Sequence, residues 1–395
     1  MTTPDVAAAR LPWDAADPYP FYESRRRAGD VVWDEIADGW LILGYHAARE
    51  VLGGSGWTSD PLASPKVRGL QLPDADLLSR NMLFADGANH TRLRGSVRDV
   101  FTPGFVNGLL PGVEAIAQEV IDHPPAGTVF DFMSDIALPL PVAVIGEWLG
   151  LDGGTSKLLH QQSPTIIRML GALADPGEIE AGFAAFATLM TEFLPLAADR
   201  RSHPGEDLLS FIAGDPELLL DDVVVTAILI AIAGHETTAN LLGAAMIRLL
   251  TADLDGYRIV DGLGPDDPID PALVTELLRL DGPVQATIRT ATEDQRIGDV
   301  EISAGQQALA VIAAANRDPA VYDQPETFAP GRAGPPPLAF GYGAHHCLGR
   351  ALAQLEISVA LRRILARKPE LVGPVNWRDT PAIRGPLTMP MVFGG

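Results

Sequence analysis

The chain has 395 residues, of which 47% are hydrophobic and 20% charged, as expected of a globular protein long enough to bury a large core. Its 29 basic and 51 acidic residues leave a formal net charge of −22. That charge disfavours general binding to nucleic acids and to anionic membranes. The single cysteine, Cys347, excludes an intrachain disulfide, a CxxC redox pair and a cysteine-ligated iron–sulfur cluster, and it fits a reducing environment.

The first half of the chain predicts two short strands and a few helices. Strands are expected at 30–36 and 40–43, joined by a turn at Asp38-Gly39, with a short helix at 45–52. Residues 53–83 are expected to be irregular. Further helices are predicted at 87–101, at 131–149 with interruptions at two prolines, and at 178–200 with a kink or break near Pro195.

The second half predicts a long central helix and a small β region. The pattern at 221–251 is apolar nearly all round, which indicates a buried helix. A helix at 270–280 follows, then strand-like pieces at 295–302 and 307–313. A loop rich in Pro and Gly at 316–337 precedes a last helix at 348–367. The predicted fold class is mainly α with a small β region, arranged as one domain over residues 1–395.

No targeting or membrane-spanning segment is predicted. The N-terminal residues show no basic segment followed by an apolar run, so they do not form a signal peptide pattern. The longest apolar stretch, 223–234, is too short to cross a bilayer. We therefore expect a cytoplasmic protein with neither a membrane nor a nucleic acid as partner.

The sole cysteine lies in the segment Phe340-Gly341-Tyr342-Gly343-Ala344-His345-His346-Cys347-Leu348-Gly349, directly before a predicted helix. A lone cysteine is usually a small buried hydrophobe. Here a helix N-terminus is expected to lower the thiol pKa, and a glycine after the cysteine would let the helix approach a flat group. Zinc needs four ligands, and three consecutive residues rarely reach one ion. A haem needs only one protein ligand, which makes it the better candidate.

This segment resembles the haem-binding signature of the cytochromes P450, although many bacterial members carry His at the position of Tyr342. The resemblance implies a P450 fold in which haem b lies between the long central helix and the helix after the cysteine. It also implies that Cys347 is the axial ligand of the iron and that Phe340, Gly341 and Gly349 lie beside the cofactor.

The long helix carries Ala233-Gly234-His235-Glu236-Thr237-Thr238. Its default interpretation is a core helix, but buried Glu and Thr need partners or a function. The zinc-protease pattern HExxH fails because position 239 is Ala. The segment resembles the oxygen-activation motif of P450s. By that resemblance Thr237 hydrogen-bonds dioxygen, Glu236 delivers protons, and Ala233 and Gly234 lie against the haem.

Two further sets of charged residues match the family in the same chain order. Taken alone, each residue could belong to an ordinary solvated surface. Glu276 and Arg279 resemble the Glu-x-x-Arg pair, which Arg332 would complete as a structural network. The resemblance assigns the two haem propionates, which need cationic partners, to the following residues: His90, Arg94, Arg289 and His345.

The candidate substrate pocket is apolar and indicates a hydrophobic substrate, although these side chains could equally be core. The expected walls are Leu229, Ile230, Ala233, Val284, Ala286, Thr287 and Ile288. The expected roof comprises residues 70–83 with Ile166, Ile167, Met169 and Leu170, and the tail adds Leu387 and Met389.

The resemblance implies a monooxygenase that takes O2 and a hydrophobic small molecule. No flavin or nicotinamide motif is visible, so the electrons should come from a separate ferredoxin and its reductase. Oxidative coupling, desaturation and peroxygenase chemistry remain alternatives, as does a haem-binding sensor or carrier without turnover. The donor's docking surface is either a basic patch or merely a scatter of solvated arginines. The candidates are Arg92, Arg98, Arg350, Arg362, Arg363 and Arg367.

Overall fold

The computed structural model describes residues 14–69, 72, 74–170, 175–252, 256–264, 267–380 and 382–394. The helices of these residues are α1 (Tyr19–Arg26), α2 (Tyr45–Gly53), α3 (Pro65–Arg68), α4 (Ala75–Ser79), α5 (Gly87–Arg98), α6 (Pro103–Asn107), α7 (Leu110–Asp122), α8 (Pro139–Leu149), α9 (Gly153–Met169), α10 (Pro176–Ser202), α11 (Leu208–Ala213), α12 (Leu220–Leu250), α13 (Pro271–Asp281), α14 (Ile312–Ala315) and α15 (Arg350–Ala366).

The strands form small sheets at the edge of this helical body. They are β1 (Val31–Asp34), β2 (Gly39–Ile42), β3 (Trp57–Thr58), β4 (Val129–Asp131), β5 (Thr287–Ala291), β6 (Gln295–Ile297), β7 (Val300–Ile302), β8 (Gln307–Ala310), β9 (Pro369–Leu371), β10 (Asn376–Trp377), β11 (Pro386–Thr388) and β12 (Pro390–Phe393). The largest sheet has the order β1-β2-β8-β5-β3, in which β8 pairs parallel to β2 and antiparallel to β5. The predicted class, mainly α with a small β region, is confirmed.

Helix α12 is the central element of the fold. Asp222 begins it, accepting a hydrogen bond from the backbone N–H of Leu219 at 3.2 Å and ion pairs from Arg80 and Arg92 at 3.0 Å. A carboxylate in the first turn also suits the positive end of the helix dipole. The helix packs against α8, α9, α10, α13 and α15. Its apolar sequence is therefore explained by burial on nearly all sides.

Two apolar cores meet along this helix. Residues 223–232 belong to a core shared with α5, α9, α10 and α11. Residues 241–250 belong to a second core shared with α7, α8, α13, α15 and β12. The polar motif at 233–238 lies between the two cores. The polar residues of α12 thus lie at the boundary between the two apolar cores.

Three sequence-based expectations differ from the structure. Residues 53–83 contain β3, α3 and α4 rather than irregular chain only, because elements of two to five residues are too short to show periodicity. Residues 70, 71 and 73 of the expected roof lie outside the described residues. Helix α10 continues through Pro195 without a break. Helix α9, with Pro164 inside it, was not predicted.

Among the described residues, α10 and α12 are long and apolar enough to cross a membrane by length and composition. This contrasts with the expectation from the shorter apolar run at 223–234. In α12, 78% of the most apolar window is buried inside the protein, against 39% in α10. The apolar character of α12 is therefore that of a core helix.

Candidate active site

The cysteine loop is a tightly folded segment that ends at the N-terminus of α15. Gly341 and Gly343 have φ values of 72° and 79°, a region that favours glycine. A Cβ on Gly343 would lie 2.8 Å from the Leu52 carbonyl oxygen. The backbone N–H of Cys347 donates to the Phe340 carbonyl at 2.8 Å. These contacts fix the backbone conformation of the loop and therefore the orientation of the Cys347 side chain.

The Cys347 thiol lies among hydrogen-bond donors and cations. It accepts hydrogen bonds from the backbone N–H groups of Gly349 and Arg350, and the charges of Arg94 and Arg350 act on it. Burial nevertheless has the largest effect and raises the pKa of the thiol above its ordinary value. The N–H groups at the helix terminus lower this pKa as expected, but burial outweighs them, so the net shift is opposite to the expected one. Coordination to a cation would supply the missing stabilisation of the thiolate.

The four residues expected to bind propionates lie close together beside this loop. The rings of His90 and His345 are 4.3 Å apart between centroids. Arg94 Nη2 donates to the His346 carbonyl at 2.6 Å. Burial, His345 and Arg94 lower the pKa of His90 to about 4, and burial lowers the pKa of Arg94 and of Arg289. The positive charge of the cluster therefore comes from Arg94 and Arg289, and no carboxylate of the described residues forms an ion pair with either.

Arg289 is the clearest case of a buried cation without an anionic partner among the described residues. Its side chain is only 7% exposed, yet it donates to neutral oxygens, the Ile288 carbonyl at 2.7 Å and Thr287 Oγ1 at 3.3 Å. The carboxylate that faces the cluster is Asp86, which lies 3.0 Å from His345 Nε2. Within the described ranges no carboxylate forms an ion pair with Arg289. A buried guanidinium of this kind calls for an anionic partner.

These residues fit a haem. Its two propionates would supply the anions that the buried cations lack, and His90 Nε2 is buried without a hydrogen-bond partner among the described residues. A Cβ placed on Gly349 would meet no heavy atom within 4 Å, so the helix start leaves room for a flat group beside it. Cys347 is an exposed residue even though protein atoms crowd its sulfur enough to raise the thiol pKa, so the sulfur can still reach a ligand and supply a thiolate.

One side of the buried helix α12 stays accessible. Leu229, Ala233 and Thr237, each four residues apart, retain accessible surface, as does Gly234, whereas most of their neighbours are buried. Thr237 Oγ1 donates to the Ala233 carbonyl at 2.8 Å, so its lone pairs remain free to accept. The helix is continuous from Leu220 to Leu250, and no local widening occurs at the motif.

Glu236 is almost completely buried and is held by an arginine from the C-terminal segment. Its Oε2 accepts from Arg378 Nη1 at 3.2 Å, and its Oε1 lies 3.7 Å from His235 Nε2. Burial alone would raise the pKa of Glu236, but His235 and Arg378 outweigh burial and hold it below the ordinary value. The group is therefore an ionised carboxylate with a fixed orientation.

The Glu-x-x-Arg pair forms a buried network on the cysteine side of the fold. Arg279 Nε and Nη2 each donate to the Glu276 carboxylate at 2.8 Å. Arg332 Nε donates to the same carboxylate at 3.2 Å, and so does the Ala329 N–H at 2.9 Å. Arg279 also binds three backbone carbonyls, which ties α13 to the loop that precedes the cysteine segment.

The structure brings only part of the expected pocket together. Leu229, Ile230, Ile166, Ile167, Met169 and Leu170 join the same apolar cluster between α9 and α12. Val284 packs on the cluster around β2 and α2, and Ala286 and Ile288 pack on the cluster around α1, with Thr287 beside them on β5. Leu387 is exposed, whereas Met389 is fully buried in the core with β12. Met389 therefore lies in the core and offers no surface to a ligand.

Five of the six arginines of the expected basic patch pair with acidic neighbours. Arg92 binds the buried Asp222 at the start of α12. Arg98 lies against Asp99, and Arg350 stacks on Phe340 at 5.8 Å. The remaining three pair with acidic residues of α7, as follows: Arg362 with Glu114, and Arg363 and Arg367 with Asp122. Most of this positive charge is thus neutralised locally.

Sequence reasoning missed three residues of this site. Asp86 precedes α5, and its position one turn before His90 was a weak signal. His160 on α9 and Arg378 after β10 lie far along the chain from the motifs, and no spacing links them to Glu236. Only the packing of α9 and the C-terminal segment on α12 brings them there.

Comparison with known proteins agrees with this geometry. A family model described as Cytochrome P450 matches residues 268–367. PikC of Streptomyces venezuelae is 32% identical over 397 residues, covering 95% of this chain and 91% of PikC. The 6-deoxyerythronolide B hydroxylase of Saccharopolyspora erythraea is 33% identical over 376 residues, covering 91% of each chain. The chain belongs to the cytochrome P450 family.

Comparison with solved structures also shows the P450 fold. The crystal structure of P450BioI, in complex with an acyl carrier protein ligated to hexadec-9Z-enoic acid, superposes with a TM-score of 0.87 at 28% identity. The match covers 96% of this chain and 99% of that one. Membership of the family implies haem iron as the cofactor and a haem-thiolate oxidoreductase of the monooxygenase type, which uses a substrate, O2 and redox partners.

Proposed function

We propose that this protein inserts one oxygen atom of O2 into a hydrophobic small molecule, by hydroxylation or epoxidation. Haem b is the proposed cofactor, and the proposed electron donors are a separate ferredoxin and its reductase. We also propose a cytoplasmic location and a single P450 domain over residues 1–395. The proposal is carried by one observation: Glu236 is ionised and buried, and it lies next to the accessible Thr237. Burying a charged carboxylate costs free energy, and a haem carrier without turnover has no use for it.

When bound, the haem supplies the iron chemistry that activates O2. In our proposal Cys347 would hold the haem through a bond from its sulfur to the iron, and Arg94, Arg289, His90 and His345 would bind the propionates.

The protein's own residues then control protons and water. The Thr237 hydroxyl keeps its hydrogen on the Ala233 carbonyl and accepts a hydrogen bond from water with its lone pairs. Glu236, held by Arg378, takes up and releases protons at its second oxygen. The apolar cluster between α9 and α12 excludes bulk water and receives an apolar substrate.

The names of the relatives support a hydrophobic substrate without selecting one. One relative is a 6-deoxyerythronolide B hydroxylase, and another protein was crystallised with a fatty acyl chain on its carrier protein. For the electron donor, Arg350 beside the cysteine loop is the best-placed cation of the expected patch. Changing Arg350 to Glu should slow electron transfer from a plant-type ferredoxin and reduce its salt dependence, whereas the same change at Arg258, which pairs with Asp261, should not.

The first test is spectroscopic. Purified protein should contain one haem b, identified as its pyridine complex, and its reduced carbon monoxide complex should show the red-shifted Soret band of thiolate ligation. Changing Cys347 to Ser should abolish that band. A wild-type protein without haem, or with the Soret band of a histidine ligand, would contradict the proposal.

The second test uses 18O2 after a substrate screen. One labelled oxygen in the product supports insertion, whereas an oxidised product without label supports coupling or desaturation. Reductant consumption that a ligand stimulates without any organic product would support the sensor or carrier alternative. Changing Thr237 to Ala should lower the yield of product per electron pair, while the carbon monoxide spectrum stays unchanged.

A further inference from the structure

Four unsatisfied polar atoms meet behind the oxygen-activation motif. They are His160 Nδ1, His235 Nε2, Glu236 Oε1 and Arg378 Nε, each buried and without a hydrogen-bond partner among the described residues. His235 is 0% and Glu236 1% exposed. Buried polar atoms are normally paired. Their concentration at one place indicates that something mobile, a proton or a water molecule, belongs between them.

The tautomer of His235 can be deduced from its other nitrogen. His235 Nδ1 lies 2.7 Å from the Ala231 carbonyl oxygen, which can only accept. Nδ1 must therefore carry a hydrogen. In the neutral imidazole, Nε2 would then have a bare lone pair.

That lone pair would face another acceptor. His235 Nε2 lies 3.7 Å from Glu236 Oε1, an oxygen of an ionised carboxylate. Two acceptors at this distance repel unless a hydrogen lies between them. A proton on Nε2 satisfies both atoms, and a small rotation of either side chain closes the gap to a hydrogen bond.

His160 is a third titratable group next to His235 and Glu236. Its ring centroid lies 6.3 Å from that of His235 in an edge-on arrangement, and His160 keeps accessible surface although its Nδ1 is buried. Burial and His235 lower the pKa of His160, so a proton placed there is readily released. Arg378 faces the same cluster from the C-terminal segment and fixes the far oxygen of Glu236.

We propose that His235 is the proton store of Glu236 and that His160 refills it. At rest Glu236 is ionised and His235 carries a hydrogen on each ring nitrogen. The proton on His235 Nε2 passes to Glu236 Oε1, and Glu236 then releases it toward Thr237. His235 becomes neutral and keeps its Nδ1 hydrogen on the Ala231 carbonyl. Nε2 then takes a proton from a water molecule that lies between the two unpaired nitrogens, and this water takes the Nδ1 proton of doubly protonated His160. Neutral His160 takes up a proton from the solvent. His160 and His235 are positioning residues, since they act through Glu236. This inference rests on the proposed role of Glu236 in proton delivery.

The primary test measures protonation and does not depend on turnover. Protein labelled with 15N-histidine is reduced, bound to carbon monoxide and recorded in long-range proton–nitrogen correlation spectra. The chain has 8 histidines, so the H235N variant identifies the His235 signals by difference. We expect the doubly protonated pattern at pH 7 and the neutral Nδ1–H pattern in E236Q. A neutral His235 from pH 6 to 8 that does not respond to E236Q would overturn the proposal.

The second test separates proton storage from hydrogen bonding. H235N keeps a donor for the Ala231 carbonyl, whereas H235Q places an amide near the position of Nε2 but holds no exchangeable charge. Oxygen consumption without added substrate, driven by a plant-type ferredoxin and its reductase, should fall by about 10²-fold in both, the lower end of general acid–base effects. Its solvent deuterium isotope effect should rise. H160N should show a smaller change of the same kind.

The matched control is H203N, because His203 is 79% exposed and pairs only with Asp199 on the surface. It should behave as wild type. Wild-type rate and isotope effect in H235Q would mean that a hydrogen bond suffices, and would refute the store. Failure of the wild-type protein to bind haem or consume oxygen would instead contradict the proposed function. The nitrogen spectra, recorded without carbon monoxide if haem is absent, would still decide the state of His235.

Discussion

Glutamine in place of Glu276 should destabilise the protein severely. The carboxylate is 3% exposed and accepts four hydrogen bonds, two from Arg279 and one each from Arg332 and the Ala329 N–H. Removing one partner of a buried ion pair costs about 3–5 kcal/mol, because the remaining charge stays buried. The whole folded state is stable by only about 5–15 kcal/mol.

Urea unfolding of the haem-loaded protein, followed by circular dichroism, measures this loss. The matched control is Glu114→Gln, which breaks the exposed ion pair with Arg362 and should cost less than about 1 kcal/mol. Equal losses for the two variants would refute the assignment of Glu276 to a buried network.

The carboxylate of Glu276 also makes the free energy of unfolding depend on pH. Burial would raise the pKa of Glu276, but Arg279, the Ala329 N–H and Arg332 outweigh burial and hold it below the ordinary value of 4.5. Its stabilisation is therefore complete above pH 4.5 and is lost as the pH falls through the lower folded-state pKa. The difference between wild type and Glu276→Gln should shrink over that acidic range, and a constant difference would contradict this account.

Three other changes test the remaining geometry. Arg289→Gln should speed haem transfer to apomyoglobin by about tenfold or more, as the loss of a charged hydrogen bond requires, whereas Arg296→Gln on the surface should not. Gly385→Ala should lower the thermal midpoint, because the new Cβ would lie 2.0 Å from Asn240 Oδ1; an unchanged midpoint would show that the segment shifts freely. Burial raises the pKa of Asp86, but its hydrogen bonds lower it overall. The stabilisation that Asp86→Asn removes should therefore disappear below about pH 3.8, and urea midpoints across pH would reveal any other pattern.

The sequence was sufficient for the family and for several of the long helices, but not for α7 and α9. A 31-residue apolar helix and a helix that follows the cysteine are visible from periodicity alone. The motifs around Cys347 and Thr237 carry the resemblance because their residue types are unusual in such helices. Short elements such as α3, α4 and β3 could not be predicted, since fewer than six residues do not establish a period.

The sequence by itself also determined which residue types are available. They are one thiol, a Glu and Thr pair inside an apolar helix, and several basic residues in the order that the family uses. Tertiary structure alone decided which of them meet. His160 and Arg378 reach Glu236 from positions 76 residues before it and 142 residues after it because α9 and the C-terminal segment pack on α12. Burial, which no local pattern reports, decided that the Cys347 thiol has a raised pKa and that Met389 is core. Contacts between distant segments and the loss of water around a group are properties of the folded chain, so they become visible only with the fold.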